Sequence, residues 1–326
     1  MNILITGHTG FVGGHLTPAL IARNHAVTGI SRHIDLALAS PQLQQIQISS
    51  LEQYTDWHQT LIGVDTVIHL AARAHILADS VADPAAEFFR VNTQGTIDLV
   101  KAAIQAEVKH FIFISSIGAI TTRSQDILTE TTICQPDTAY GTSKLAAETA
   151  LIELCQNTPM SWTIVRPTLV YGPGNPGNMQ RLLKLVNSHL PLPLGSIDNQ
   201  RSFLYIGNLI DAIITCLQHP NAKNQIFLLS DGQNISTPAL IHHLAHFLNT
   251  RSRSVSERES ILLPIPVSIL RLLGKITGKS SELNRLLESL VVSNEKIVTT
   301  LNWQPPYSIE QGLAATAKWY KSVNSR

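Results

Sequence analysis

The chain has 326 residues, 24 Lys plus Arg against 23 Asp plus Glu, and a hydrophobic fraction of 44%, so it can bury a sizeable core and exceeds the usual single-domain size. A formal charge of +1 gives no long-range field of either sign, which argues against a nucleic-acid groove or an anionic-membrane patch as its main business. Cys134, Cys155 and Cys216 show neither CxxC nor paired spacing, so no zinc or other metal site and no disulfide framework is expected, and a reducing cytoplasm fits.

Met1 to Gly7 run straight into a strand pattern with no basic leader and no cleavage site, so no secretory signal is expected. The first strand, around Ile3-Leu4-Ile5, opens into Thr6-Gly7-His8-Thr9-Gly10-Phe11-Val12-Gly13-Gly14. Glycines at that spacing suit a tight turn, close approach of a pyrophosphate to the backbone, and a helix packed hard on the strand. The helix N-terminus then offers N–H groups and a partial positive charge to phosphates. This predicts dinucleotide binding by Gly7, Thr9, Gly10, Phe11, Val12 and Gly13. Pro18 falls where that helix is already under way, which predicts a kink or a late start.

The second run, Ala26 to Ile30, ends Gly29-Ile30-Ser31-Arg32. An NAD site typically places an acid there for the ribose hydroxyls. None is present, and Ser31 with Arg32 suits a 2′-phosphate. NADP(H) is therefore favoured, with NAD(H) open through Asp35 reaching back to the ribose. Further apolar runs follow at Val67–Leu70, Phe111–Ile114, Trp162–Val165 and Ile226–Leu229, with helical stretches between them. Uniformly apolar runs in alternation with helices indicate a doubly wound parallel sheet covered on both faces. Asp83-Pro84 and Ser236-Thr237-Pro238 read as helix starts, and Ser308-x-x-Gln311 as a capping box.

Ser115-Ser116 closes the fourth run, and 24 residues beyond Ser116 stands Tyr140-Gly141-Thr142-Ser143-Lys144. Tyr140 and Lys144 are i and i+4, neighbours on one helix face. A phenol titrates near 10, and an ammonium one turn away stabilises the phenolate, which predicts that Tyr140 exchanges a proton near neutrality. Ser116 would orient the carbonyl or hydroxyl undergoing reaction. From about Gly172 the Pro/Gly texture changes, which places a boundary there: 1–171 as the nucleotide-binding unit, its sheet completed by about 203–232, and 172–326 mainly as a smaller lobe. The apolar stretch from Ile261 to Leu273 is too short to span a bilayer and reads as small-lobe core, with a membrane-facing or partner-facing patch as the alternative.

These motifs resemble the extended short-chain dehydrogenase/reductases of the nucleotide-sugar epimerase/dehydratase family. The likeness runs through His69-Leu70-Ala71-Ala72-Arg73, Val91-Asn92-x-x-Gly95-Thr96, Tyr140-x-x-x-Lys144, Arg166-Pro167-x-x-Val170-Tyr171-Gly172-Pro173-Gly174 and Arg201-Ser202-Phe203-Leu204-Tyr205-Ile206, and covers nearly the whole chain. It implies a Rossmann-type α/β fold with a substrate-binding C-terminal lobe. Phe11 and Val12 would cover the pyrophosphate. Leu70, Ala71, Ala72, Arg73 and Ala74 would line the cofactor with Asn92, Pro167 and Thr168 near it, and Ser116, Tyr140 and Lys144 would be catalytic. Asn178 resembles a residue contacting a nucleotide diphosphate, and Arg201 the arginine that clamps it, for which a planar fork is suited. A UDP-sugar substrate and a homodimer through two helices, one carrying Tyr140, are implied as well.

Within that family a hydride moves between nicotinamide and a sugar carbon, usually C4. Dehydratases carry Asp-Glu after the serine or threonine; Ile117-Gly118 stands here, so dehydration is not expected. A 4-epimerase retains NAD, whereas a 4-keto reductase exchanges a consumable cofactor, commonly NADPH, and the missing acid at Ser31 favours reduction. Thr55-Asp56-Trp57, the Ala71-to-His75 run and Pro191-to-Ser202 resemble a bacterial subgroup holding both UDP-glucose 4-epimerases and reductases that form UDP-N-acetyl-quinovosamine-type sugars for O-antigen. The expectation is the 4-keto reductase, with the epimerase as alternative and a non-catalytic NADP(H)-binding protein as the reading from another class.

Overall fold

The computed structural model describes residues 1–54, 56–74, 83–188, 190–248, 262–276 and 280–324. Thr55, His75 and Ile261 of the sequence motifs lie outside them. Its centre is a seven-stranded, all-parallel sheet of β1 (Asn2–Thr6), β2 (Ala26–Ser31), β3 (Leu43–Gln47), β4 (Thr66–His69), β5 (His110–Ile114), β7 (Ser161–Pro167) and β10 (Gln225–Leu229), in the order β10-β7-β5-β4-β1-β2-β3. The order reverses between β1 and β4, and in such sheets ligands sit outside the carboxyl ends of the strands at that point. All six runs read as strands are in the sheet. The seventh, Leu-Gln-Gln-Ile-Gln, was missed because three of its five residues are glutamines, as a sheet edge permits.

Helices cover both faces, α1 (Phe11–Ile21) and α7 (Ile206–Gln218) on one and α2 (Trp57–Leu61), α4 (Gly95–Gln105) and α5 (Ala139–Cys155) on the other, while α3 (Pro84–Phe88) lies against α5 and α6 (Asn178–Asn187) and α8 (Thr237–Leu248) belong to the small lobe. One face buries Ile3, Ile5, Leu16, Leu20, Leu209 and Ile213; the other buries Leu4, Val67, Leu99, Phe111, Leu151 and Ile164. Alternate residues of β1 thus serve opposite cores, as the strand pleat requires. The expected late start of the first helix is corrected. α1 begins at Phe11 and runs through Pro18. The proline forgoes one ladder bond, but buried Gly13, Leu16, Thr17 and Leu20 hold the segment against the sheet.

Beyond Tyr171 the chain builds a second core, with Leu183, Phe203, Ile241, Leu244 and Leu313 inside it. β8 (Leu169–Tyr171), β9 (Arg201–Tyr205) and β11 (Asn234–Ile235) form a three-stranded sheet there, and β6 (Ile127–Leu128) pairs with β12 (Val291–Val292). The helix starts are as read. Asp83 accepts from the Ala86 N–H at 3.0 Å, and Ser236 accepts from Ala239 at 3.2 Å. Ser308 and Gln311 bond each other's backbone N–H reciprocally, at 2.9 and 3.2 Å, opening helix Ile309–Asn324. The stretch read as small-lobe core is corrected in part: Leu270 is buried, but Leu263, Ile269, Leu272 and Leu273 are exposed. No helix among the described residues is long and apolar enough to cross a membrane.

Candidate active site

The turn after β1 is built by its glycines. Gly7 has φ +74°, and its N–H donates to the Ile30 carbonyl at 2.7 Å. A Cβ at Gly13 would lie 2.2 Å from the Gly7 oxygen, so only glycine lets α1 sit so close to the strand. Gly10 caps α1 with no side-chain bond, and no acid occupies the first turn. The first N–H groups of α1, beside partly exposed Phe11, Val12 and Thr9, therefore face the carboxyl edge of the sheet without a side-chain cap. Ser115 Oγ and Thr168 Oγ1, at the carboxyl ends of β5 and β7, are buried without a hydrogen-bond partner. Such orphaned groups need an explanation, and together with the cradle at Gly7 to Gly13 they fit a bound dinucleotide.

At the end of β2, Ser31 is buried and its hydroxyl donates to the His33 carbonyl, tying down its own loop. Arg32 is exposed, its carbonyl held by Gln47 at 3.0 Å. Asp35 does not reach back. One carboxylate oxygen accepts from the Ala37 N–H at 2.9 Å, and Gln45 bonds both its N–H and its carbonyl at 2.9 Å. Gln45 also accepts from Nε2 of fully buried His8 at 3.0 Å. That reach is possible because Gly29 lies between: a Cβ there would sit 2.5 Å from the His8 ring.

Leu70 to Ala74 follow β4 and are partly exposed at the same edge. Asn92 clamps this segment, its Oδ1 accepting from the Arg73 N–H at 2.7 Å and its Nδ2 donating to the Arg73 carbonyl at 3.1 Å and to Ser143 Oγ at 3.0 Å. The Asn92 amide thus fixes the segment around Arg73 against α5. Beneath it, Thr6 Oγ1 bonds His69 Nδ1 at 2.6 Å, His69 Nε2 bonds Thr96 Oγ1 at 3.0 Å, and Thr96 donates to the Asn92 carbonyl at 2.6 Å. Burial pushes the His69 imidazole down to about 3, with the Lys144 charge acting in the same direction.

Thr138 caps α5, accepting from the Gly141 N–H at 3.0 Å, and so sets Tyr140 in the first turn. A Cβ at Gly141 would lie 2.1 Å from the Gly118 carbonyl, which brings the start of α5 onto the turn after β5. That turn carries Ser116, whose Oγ accepts from Gly118 N–H at 3.0 Å. Burial pushes the Tyr140 phenol up to about 12, opposed by its hydrogen bond with Ser116. One turn on, Lys144 is 1% exposed, donates to the Ile114 carbonyl at 2.7 Å and stands 4.1 Å over the Phe113 ring. Burial brings its ammonium down to about 7, and Glu148 pulls it back up. The expectation of a phenol titrating near neutrality is therefore corrected: desolvation dominates, and the lysine proton is directed at a backbone oxygen. The structure does gather Ser116, Tyr140 and Lys144 at one place, beside the switch point.

Residues 3–230 match the model of the NAD dependent epimerase/dehydratase family. The chain belongs to that family. A UDP-glucose 4-epimerase of Vibrio cholerae is 38% identical over 330 residues, covering 100% of this chain and 97% of that one. An N-acetyl-alpha-D-glucosaminyl-diphospho-ditrans,octacis-undecaprenol 4-epimerase of Escherichia coli O157:H7 is 28% identical over 100% of this chain and 96% of its own. Among solved structures, a UDP-glucuronic acid 4-epimerase from Bacillus cereus in complex with NAD superposes with a TM-score of 0.79 at 22% identity, covering 99% of both chains. As an enzyme of the epimerase/dehydratase family, the protein is an extended short-chain dehydrogenase/reductase that uses a nicotinamide dinucleotide.

In this epimerase/dehydratase chain the other predicted contacts are less concentrated. Pro167 ends β7 and Thr168 follows it, its N–H donating to Leu229 at 3.0 Å. Asn178 opens α6 and is partly exposed. Arg201 starts β9, is 9% exposed, and donates from Nη1 to the Glu288 carbonyl at 2.8 Å, so part of its fork ties down the small lobe. Sequence reasoning missed Glu148, which takes the Arg166 guanidinium in a buried fork with bonds of 2.5 to 3.2 Å directly behind Lys144. The signal was available, since Lys144-x-x-x-Glu148 puts an acid on the buried face of α5. It also missed His8 and Gln45, whose pairing depends on the unrecognised edge strand.

Proposed function

We propose that this enzyme moves a hydride at C4 of a UDP-sugar, with Tyr140 carrying the accompanying proton. The observation that carries the reading is the placement of Ser116, Tyr140 and Lys144 where β5 and α5 meet beside the glycine turn. A nicotinamide held at the glycine turn would supply the hydride acceptor or donor. Ser116, within hydrogen-bond reach of Tyr140, would orient the sugar oxygen beside the phenol. Tyr140 holds or gives the proton at its phenolic oxygen, and Lys144 supplies a cation from a dry site, where its field is weakly screened. The raised phenol keeps its proton until a cationic group enters. Orphaned Ser115 and Thr168 and the segment held by Asn92 would line the cofactor. The lobe from 172 to 326, with Asn178 and Arg201, would select the sugar and hold its diphosphate.

Two relatives matched over nearly their full length are 4-epimerases, and this supports 4-epimerisation with retained NAD. The 4-keto reductase expected from the sequence becomes the second reading, favoured by one observation: β2 ends in Ser31-Arg32 without an acid and leaves Arg32 exposed, which suits NADP(H). The dimer expected through α5 belongs to the same reading, and the mass in solution checks it. Purified protein is to be incubated with UDP-glucose or UDP-N-acetylglucosamine without added reductant, and the sugar followed by NMR. Appearance of the C4 epimer supports the epimerase. No epimer, with NADPH oxidised on a UDP-4-keto-6-deoxy sugar, supports the reductase, and inactivity in both assays overturns the substrate class.

A further inference from the structure

Helix Val267–Ile276 carries the strongest surface feature that the proposed reaction does not use. Leu270 and Gly274 pack it onto the small-lobe core. Ile269, Leu272 and Ile276, at i, i+3 and i+7, point the other way, 47%, 57% and 73% exposed, and Leu263 just before the helix is 44% exposed. Residues three, four and seven apart share one helix face, so this is a continuous apolar stripe on the outside of the molecule. Two exposed cations, Arg271 and Lys275, accompany it, and no acid occurs between Leu262 and Ile276.

We propose that this helix lies in the interface of an anionic lipid bilayer and docks the small lobe on a membrane. An exposed apolar stripe beside cations, without acids, is the composition that binds such an interface: the aliphatic side chains enter the acyl boundary while Arg271 and Lys275 meet the headgroups. Charge favours a lipid occupant over a second copy. A two-fold contact through this face would set like cations against each other with no acid on the helix to pair them. The net charge of +1 does not oppose this, because attraction to an anionic surface acts within a Debye length and is set by the local cations.

The test is co-sedimentation of the whole protein with vesicles of phosphatidylcholine alone or mixed with phosphatidylglycerol, at low and high salt. The wild type should bind the anionic vesicles at low salt and about tenfold more weakly in high salt or on neutral vesicles. A Leu272→Ser/Ile276→Ser pair and an Arg271→Ser/Lys275→Ser pair should each weaken binding about tenfold with unchanged turnover, since all four side chains are exposed. Absence of binding to anionic vesicles, or binding that both pairs leave unchanged, overturns the proposal. So does a wild-type dimer that the apolar pair converts to monomer without any vesicle binding, which would make the face a contact between copies.

Discussion

The nucleotide-binding sheet and the small lobe solve the same problem, holding a buried polar network, over very different chain distances. At the sheet edge the determinants are local: Gly7, Gly10 and Gly13 in one turn, Tyr140 and Lys144 in one helix, Thr138 capping Gly141 at 3.0 Å. In the small lobe the corresponding hub is Asp231, buried, with Tyr171 donating to it at 2.9 Å and the Tyr205 N–H and Asn208 each at 2.7 Å. Asn208 in turn exchanges bonds with the Tyr307 backbone at 2.8 and 2.9 Å. Chemistry common to a family rests on short motifs, whereas the part expected to choose the sugar is assembled from residues up to 138 positions apart, as in the bond from Tyr171 to the Ile309 carbonyl.

That contrast can be broken from either side. Tyr140→Phe removes the proton carrier and should lower kcat by about 10²- to 10⁴-fold, measured by product NMR, while leaving cofactor affinity nearly unchanged. Glu148→Gln leaves the Arg166 charge buried and unpaired, so urea unfolding should show a loss of about 3–5 kcal/mol, and Glu148→Leu with Arg166→Leu should recover most of it. Asp231→Ala removes the acceptor of Asn208, the Tyr205 N–H and Tyr171, the last of which keeps the Ile309 carbonyl, and should cost about 1–3 kcal/mol by the same measurement, with binding of an ADP-ribose fragment unaffected if the two regions act independently. The smallest static effect is expected from Asn92→Ala. It frees the Arg73 segment and should weaken dinucleotide binding about tenfold by calorimetry.

The His69 network adds a pH dependence to the sheet half. Its imidazole is held down to about 3, so between about 3 and its ordinary value of 6.5 the unfolded chain binds a proton that the native chain does not. Stability from this group is complete above 6.5 and falls on acidification, by about 1.4 kcal/mol per pH unit within that window. His69→Gln should flatten that slope in urea titrations. A slope that persists unchanged would remove His69 from the account.

Most of the fold was legible because apolar β-branched runs between helical stretches leave little choice but a parallel sheet. β3 was not, since its glutamines face the edge and serve Asp35 and Arg32 rather than a core. The trio proposed as catalytic could be read from spacing, but the ionisation of its members could not. Burial of Lys144 and Tyr140 depends on β5 and the turn at Gly118, which are remote in sequence. Arg201 shows the same limit, for its partner carbonyl at Glu288 is 87 residues away. The exposed stripe on Val267–Ile276 was open in the sequence only as the alternative to buried core, because apolarity alone does not say which face a helix turns to its core.

Turnover in D₂O tests the proposed chemistry most directly. If a hydride leaves C4 for the nicotinamide and returns, or arrives from NADPH, while Tyr140 handles only the oxygen-bound proton, product NMR will show C4 carrying protium and no solvent deuterium. Deuterium at C4 would mean that the carbon exchanges its hydrogen with solvent, and would contradict hydride transfer at this site.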